Sequence, residues 1–180
     1  MNDQIHICTY HSPVGELIIG IYDNQVCLCD WKYRNMRASV DQRIGSSLKA
    51  HYIENLHPLA EVVMNQLNEY FNKSRKVFEL PLLMVGTEFQ RSVWDMLISI
   101  PYGQTHSYLQ LSQRLGDPKA IRAVASANGA NALSIIVPCH RIIGSNGDLT
   151  GYAGGLSAKQ KLLEMEGAIL PNMQVELFEM

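Results

Sequence analysis

Three times after residue 86 a hydroxyl side chain is followed three positions later by glutamine: Thr87 and Gln90, Ser107 and Gln110, Ser157 and Gln160. At that spacing the hydroxyl accepts from a free backbone N–H of the first helical turn and the glutamine reaches back to another, so each pair predicts a helix start. The first predicted helix turns Phe89, Val93, Leu97 and Ile100 inward and stops at Pro101-Tyr102-Gly103. The beginning of the chain follows a different rule. Residues 5–10, 17–22 and 26–31 alternate with a period of two and break at Ser12-Pro13-Val14-Gly15 and Asp23-Asn24, which predicts a three-stranded antiparallel meander. The two styles meet at residues 80–86. The pattern is that of an α+β protein of two domains, 1–80 with a small antiparallel sheet and 86–180 mainly helical.

Residues 33–56 are polar with weak periodicity and are read as loop and helix. Pro58 then opens an amphipathic helix with Leu59, Val63, Leu67 and Tyr70 or Phe71 on one side. After the second capped helix Gly116 supplies a stop and Asp117-Pro118 a new cap and first turn, so an alanine-rich helix is expected from 118 to about 128. Residues 133–137 make a buried extended run ending in Pro138-Cys139-His140-Arg141. Ile142-Ile143, a turn at Gly144-Ser145-Asn146-Gly147 and the residues from Leu149 onward read as a hairpin. Helix, turn, helix, hairpin is a winged-helix order.

Of the residues 47% are apolar and 18% charged, an ordinary globular mix, with no apolar run of bilayer length and no basic-then-apolar leader in residues 1–10. A soluble cytoplasmic monomer with no membrane attachment is expected. A formal net charge of −2 argues against a grip on nucleic acid through bulk charge. Any such contact has to be local, and between 111 and 141 Arg114, Lys119, Arg122 and Arg141 stand against Asp117 alone. The cysteines, Cys8, Cys27, Cys29 and Cys139, show neither a secreted nor a zinc-type spacing. Cys27 and Cys29, two apart on a strand, share a face and are read as core thiols; neither a metal nor a cofactor is expected.

Cys139 alone lies next to a histidine and two residues from an arginine, in a short loop after a buried run. Such surroundings can lower a thiol pKa, although a buried inert cysteine explains the pair equally well. Extended neighbours point to opposite sides, so Cys139 and His140 are not expected to touch, and a bridging water is the natural link. A thiol of pKa near 8.5 is roughly 3% ionised at pH 7, so complete ionisation gains about thirtyfold at most. Most of any useful rate has to come from holding an electrophile in line with the sulfur and stabilising its leaving group.

The run Ile136-Val137-Pro138-Cys139-His140-Arg141-Ile142-Ile143 resembles the active-site signature of the O6-alkylguanine-DNA alkyltransferases. The likeness continues in order and spacing over Thr87-Glu88-Phe89-Gln90 with Val93-Trp94, Ile100-Pro101 with Gly103, Ser107-Tyr108, Arg122-Ala123-Val124, Asn131, and Gly151-Tyr152 with Gly154-Gly155. It spans about residues 86–167 and reaches more weakly to Ser12-Pro13 with Gly15 and Leu17. The resemblance implies an N-terminal ribonuclease-like domain and a C-terminal winged helix-turn-helix domain that binds DNA and accepts the alkyl group. It also implies direct-reversal repair, in which O6-alkylguanine, and O4-alkylthymine, is flipped out of double-stranded DNA and its alkyl group moved irreversibly to Cys139, once per molecule.

By the same resemblance His140 is the base acting through water, Glu166 the carboxylate that orients it, Asn131 the brace of the active-site loop and Tyr108 the donor to the guanine ring. Arg122 fills the space the base vacates, while Ala123, Ser126 and Ala127 let their helix approach the minor groove. Tyr152, Ala153, Gly154 and Ile142 line the base pocket. On the residues alone, Arg122 and Glu166 read more simply as solvated helix charges. Ala132 stands where the family usually has proline, so a looser loop is expected. Ala153 stands where many relatives have serine, so the pocket has one fewer side-chain hydrogen bond. Ser134 stands where some have proline, which argues against tolerance of bulky adducts and leaves the substrate range open. Two other classes stay open: a protein that binds flipped alkylguanine without repairing it, and a thiol hydrolase, for which an adjacent Cys-His pair is poorly arranged.

Overall fold

The alternating runs become β1 (Gln4–Ser12), β2 (Gly15–Tyr22) and β3 (Gln25–Trp31), an antiparallel meander, in a computed structural model that describes residues 3–171. Asp23 and Asn24 join β2 to β3 with φ of 47° and 56°, the two-residue turn whose twist matches that of the strands. A fourth strand, β4 (His51–Glu54), adds parallel to β1 and gives the order β3-β2-β1-β4. Nothing in four polar-flanked residues announces this strand. Its parallel pairing requires the crossover made by the helix α1 (Arg37–Leu48). The next helix, α2 (Pro58–Phe71), is capped by His57, whose Nδ1 accepts from Leu59 N at 3.1 Å, and it buries Ala60, Val63, Leu67 and Tyr70.

A continuous core joins the two parts of the chain: Leu17, Ile19 and Leu67 lie in the same cluster as Val93, Leu97 and Val137. The edge of β3 is closed by later segments. Val26 N donates to Pro81 O and Leu83 N to Val26 O, and Cys29 N donates to Ala132 O. Cys27 and Cys29 do not share a face as their spacing predicts. The register steps from Ile21 opposite Val26 to Gly20 opposite Leu28, leaving Cys27 as the extra residue of a bulge; it packs with Ile5, Val40 and Ile44, whereas Cys29 lies in the main core.

The helices α3 (Glu88–Ile98) and α4 (Tyr108–Arg114) start on complete capping boxes, Thr87 with Gln90 and Ser107 with Gln110. The third pair does not cap. Helix α6 (Leu156–Met165) starts from Gly155, at φ 84°, which puts Ser157 inside the first turn and carries Ala158, Lys159, Leu162 and Leu163 into the core. Phe89, predicted inward, is exposed, and Trp94 is buried beside Val93 and Leu97 instead. Between α4 and α5 (Ile121–Gly129) lies a 3-10 turn, Pro118–Ala120, capped by Asp117, so the α-helix starts three residues later than the proline suggests. The predicted hairpin gives way to a different pairing: β6 (Ile142–Ile143) runs parallel to β5 (His106–Ser107), and Gly144 N to Asp148 O closes the turn that follows. The stretch beyond that turn is tied to α6 instead, because the Lys159 ammonium takes the carbonyl of Thr150. No helix among the described residues is long and apolar enough to cross a membrane.

Candidate functional site

Beyond the core segment 132–137 the chain makes a 3-10 turn, Cys139–Arg141, with all three residues buried. Ile135, just before it, is held at φ 72°, a conformation that costs a β-branched residue roughly 1–3 kcal/mol and persists only where the surroundings enforce it. They do so through Asn131, whose Nδ2 donates to Val137 O at 2.9 Å and to Cys139 Sγ at 3.1 Å while its Oδ1 accepts from Leu133 N at 2.9 Å. Burial pushes the Cys139 thiol up and the Asn131 donor draws it part of the way back, so the resting sulfur is protonated at pH 7.

The turn sends His140 to another partner. Its Nε2 lies 2.9 Å from Glu166 Oε1, which assigns the proton to Nε2 and leaves Nδ1, buried and without a hydrogen-bond partner, as a free acceptor. Burial lowers the imidazole against the pull of Glu166, so the ring is neutral at pH 7. Glu166, the C-cap residue of α6, also accepts from Arg141 Nε and Nη2, each at 2.9 Å, from Tyr70 OH at 2.6 Å and from Gly103 N at 3.2 Å. Burial would raise this carboxyl, but the donors from His140 and Arg141 outweigh it and hold it far below the usual carboxylate range. Arg141 therefore belongs to the interior and leaves the basic surface stretch to Arg114, Lys119 and Arg122, all exposed.

Beside Cys139 opens a cavity of about 400 Å³, walled by Tyr108, Asn131, Thr150, Tyr152 and Ala153, with Ala125 and Asn128 on the α5 side. Its size suits a nucleobase-sized ligand. Burial raises the Tyr108 phenol, against a hydrogen bond with Thr150, so it keeps its proton at neutral pH. Lys159 is fully buried, brought down to about 8 by that burial, and its ammonium donates to Ile142 O and Thr150 O, tying the cavity wall to the turn after Cys139.

A second ionic cluster lies behind the cavity. Asp30 accepts from Arg34, Arg37 and the Ser134 hydroxyl. Four successive carbonyls then receive donors from the N-terminal part: Gly129 from Arg34 at 2.6 Å, Ala130 from Arg43 at 2.8 Å, Asn131 from Arg34 at 3.0 Å and Ala132 from Cys29 N at 2.8 Å. The loop at Ala132, predicted to be loose, is thus firmly tied.

A family model described as the DNA-binding domain of 6-O-methylguanine DNA methyltransferase matches residues 88–168. The methylated-DNA–protein-cysteine methyltransferase of Methanosarcina acetivorans is 40% identical over 165 residues, covering 91% of this chain and 99% of its own. The chain belongs to the methylated-DNA–protein-cysteine methyltransferase family. A protein of the same name from Mycobacterium bovis is 40% identical over 167 residues, 93% of this chain and 95% of its own. The crystal structure of Mycobacterium tuberculosis OGT in complex with DNA superposes with a TM-score of 0.78 at 37% identity, covering 91% of this chain and 93% of that one.

Of the residues that likeness to the methyltransferases singles out, Cys139, His140, Glu166, Asn131 and Tyr108 converge, and Tyr152 and Ala153 join them on the cavity wall. Ile142 and Gly154 do not line that cavity. Ile142 is wholly buried with its carbonyl taken by Lys159, and Gly154 backs onto Trp31, whose indole a Cβ there would meet at 2.4 Å. Arg122, Ala123 and Ser126 are exposed on α5. Ala127 is not: one turn on from Val124, it lies in the core and its carbonyl accepts from Trp94 Nε1 at 2.8 Å. Local sequence pattern gives no functional role to Tyr70, Arg34, Asn128, Thr150 or Lys159. Tyr70 and Lys159 each left a signal, Tyr70 on the inward side of its amphipathic helix and Lys159 as a lysine on the apolar face formed by Ala158, Leu162 and Leu163.

Proposed function

We propose that this chain repairs double-stranded DNA by direct reversal, taking the alkyl group of O6-alkylguanine, and of O4-alkylthymine, onto Sγ of Cys139. What carries the reading is a buried thiol at a base-sized cavity, next to a neutral imidazole with a free Nδ1. The thiol proton passes through a water to His140 Nδ1. The sulfur forms the S–C bond in line with the breaking C–O6 bond, whose electrons stay on the guanine. The Tyr108 hydroxyl protonates the departing base and regains a proton from the imidazolium through solvent. Glu166, kept ionised by its donors, stabilises the imidazolium without taking its proton. The thioether formed is stable, so each molecule acts once.

Delivery of the base is assigned to a C-terminal DNA-binding and alkyl-acceptor domain, 86–180, set beside a ribonuclease-like domain, 1–80. In it α4, the 3-10 turn and α5 serve as a helix-turn-helix, with β6 and the turn after it as the wing. Exposed Arg122 enters the duplex as the base leaves, and the small exposed Ala123 and Ser126 allow close approach to the minor groove. The protein works as a monomer inside the cell, where its substrate is. The test is mass spectrometry after mixing with a duplex carrying O6-methylguanine. One added methyl on the Cys139 peptide, a plateau at one equivalent and an inert Cys139→Ser variant are expected. Turnover beyond one equivalent, methylation elsewhere, or tight binding with the lesion intact overturns the reading.

A further inference from the structure

Tyr70 stands on α2, outside residues 88–168, yet its hydroxyl donates to Glu166 Oε1 at 2.6 Å in a buried contact 96 residues away in sequence. The same oxygen serves His140 Nε2 and Arg141 Nη2, each at 2.9 Å, while Oε2 serves Arg141 Nε and Gly103 N. Donors that share one oxygen share its charge, so what the phenol draws is withdrawn from the imidazole. We propose that Tyr70 is a positioning residue of the alkyl-transfer site, its hydroxyl setting how strongly Glu166 holds the Nε2 proton of His140 and hence how basic Nδ1 is.

The surroundings leave this hydroxyl little else to do. The Tyr70 ring is fully buried and wedged among Phe71, Phe78 and Tyr102 at centroid distances of 5.3, 5.5 and 6.1 Å, a packing that phenylalanine would fill as well. Burial and then the charge of Glu166 push the phenol well above its ordinary value, so it stays a neutral donor throughout the working range. The groups facing His140 are Glu166, Arg141, Lys159 and Tyr152; those facing Glu166 are His140, Arg141, Tyr70 and Tyr102. Among them Glu166 favours the imidazolium and both cations oppose it, so a donor that moderates Glu166 acts on the one favourable charge. A base must be neutral before the reaction and still take a proton during it, and a neutral donor adjusts that balance without adding a charge.

The proposal rests on His140 acting as the base, and its test separates the two. In the full-length protein with 15N-labelled histidine, the His140 Nε2–H resonance, assigned from its loss in His140→Gln, is compared between wild type and Tyr70→Phe at pH 7. A downfield move is expected as the bond to Glu166 strengthens, and the acid limb of single-turnover methyl transfer should rise by about half a pH unit or more. Fluorotyrosine at position 70, a stronger donor that keeps the hydroxyl and the packing, should move both the other way. An unchanged resonance, or the same direction in both variants, overturns the proposal. Absence of methyl transfer in wild type would instead sink the alkyltransferase reading and leave the resonance as a measure of the coupling.

Discussion

Asp30 and Glu166 are both buried carboxylates held by arginine, and each links the N-terminal part of the chain to the segment around Cys139. They end differently. The Asp30 carboxylate is closed: Arg34, besides binding it, donates to Gly129 O and Asn131 O, and Ser134 and Arg37 complete the carboxylate. The Glu166 cluster is open, because its chain of donors ends on an imidazole whose second nitrogen has no partner. Charge and burial are common to both. What distinguishes a brace from a reactive group here is one unspent lone pair.

The strongest way to break this contrast is Glu166→Gln, which leaves Arg141 charged and buried without its anion. A loss of about 3–5 kcal/mol is expected from denaturant unfolding, together with at least a hundredfold slower methyl transfer in single turnover. Arg34→Met attacks the closed cluster. Asp30 keeps Arg37, so a smaller loss of about 2–3 kcal/mol is expected, with roughly tenfold slower transfer and an unchanged pH profile, because the bracing of Asn131 is altered and His140 is not.

Acid sharpens the difference without mutation. The folded protein keeps His140 neutral, while the unfolded chain takes up that proton below about pH 6.5; Glu166 stays ionised when folded but is protonated below about pH 4.3 when unfolded. In both cases the unfolded state binds more protons, so stability should fall on acidification from near pH 6.5 and more steeply below pH 4.5. Thermal melts of His140→Gln should lose the upper part of that slope. The smallest effect is expected for Ser134→Ala, about 1 kcal/mol with no change in transfer, since Asp30 retains both arginines.

Features written within a few neighbouring residues are legible in the sequence. The boxes at Thr87 and Ser107, the Asp23-Asn24 turn and the cap at Asp117 form as their local chemistry dictates. Where a distant partner decides, local pattern fails: Ser157 does not cap because Gly155 starts the helix early, and β6 chooses His106–Ser107 over the residues following its own turn. The site divides the same way. Cys139 and His140 stand out as an adjacent pair, Asn131 is picked out by the family resemblance, and Tyr70 is visible only as an inward helical tyrosine. That its hydroxyl meets Glu166, or that Arg34 spans 95 and 97 positions to reach two carbonyls, is set by packing that no nearby residue encodes. Ala127 shows the converse: being small suggested close approach to a partner, and helical phase put it in the core.

The closure of β3 by Pro81, Leu83 and Ala132 bears on how the chain can be cut. An uncovered strand edge is a template for association between molecules. Proteolysis in residues 72–80, even with every ion pair intact, would loosen the segment that protects this edge, and the nicked protein should aggregate rather than separate into two soluble pieces.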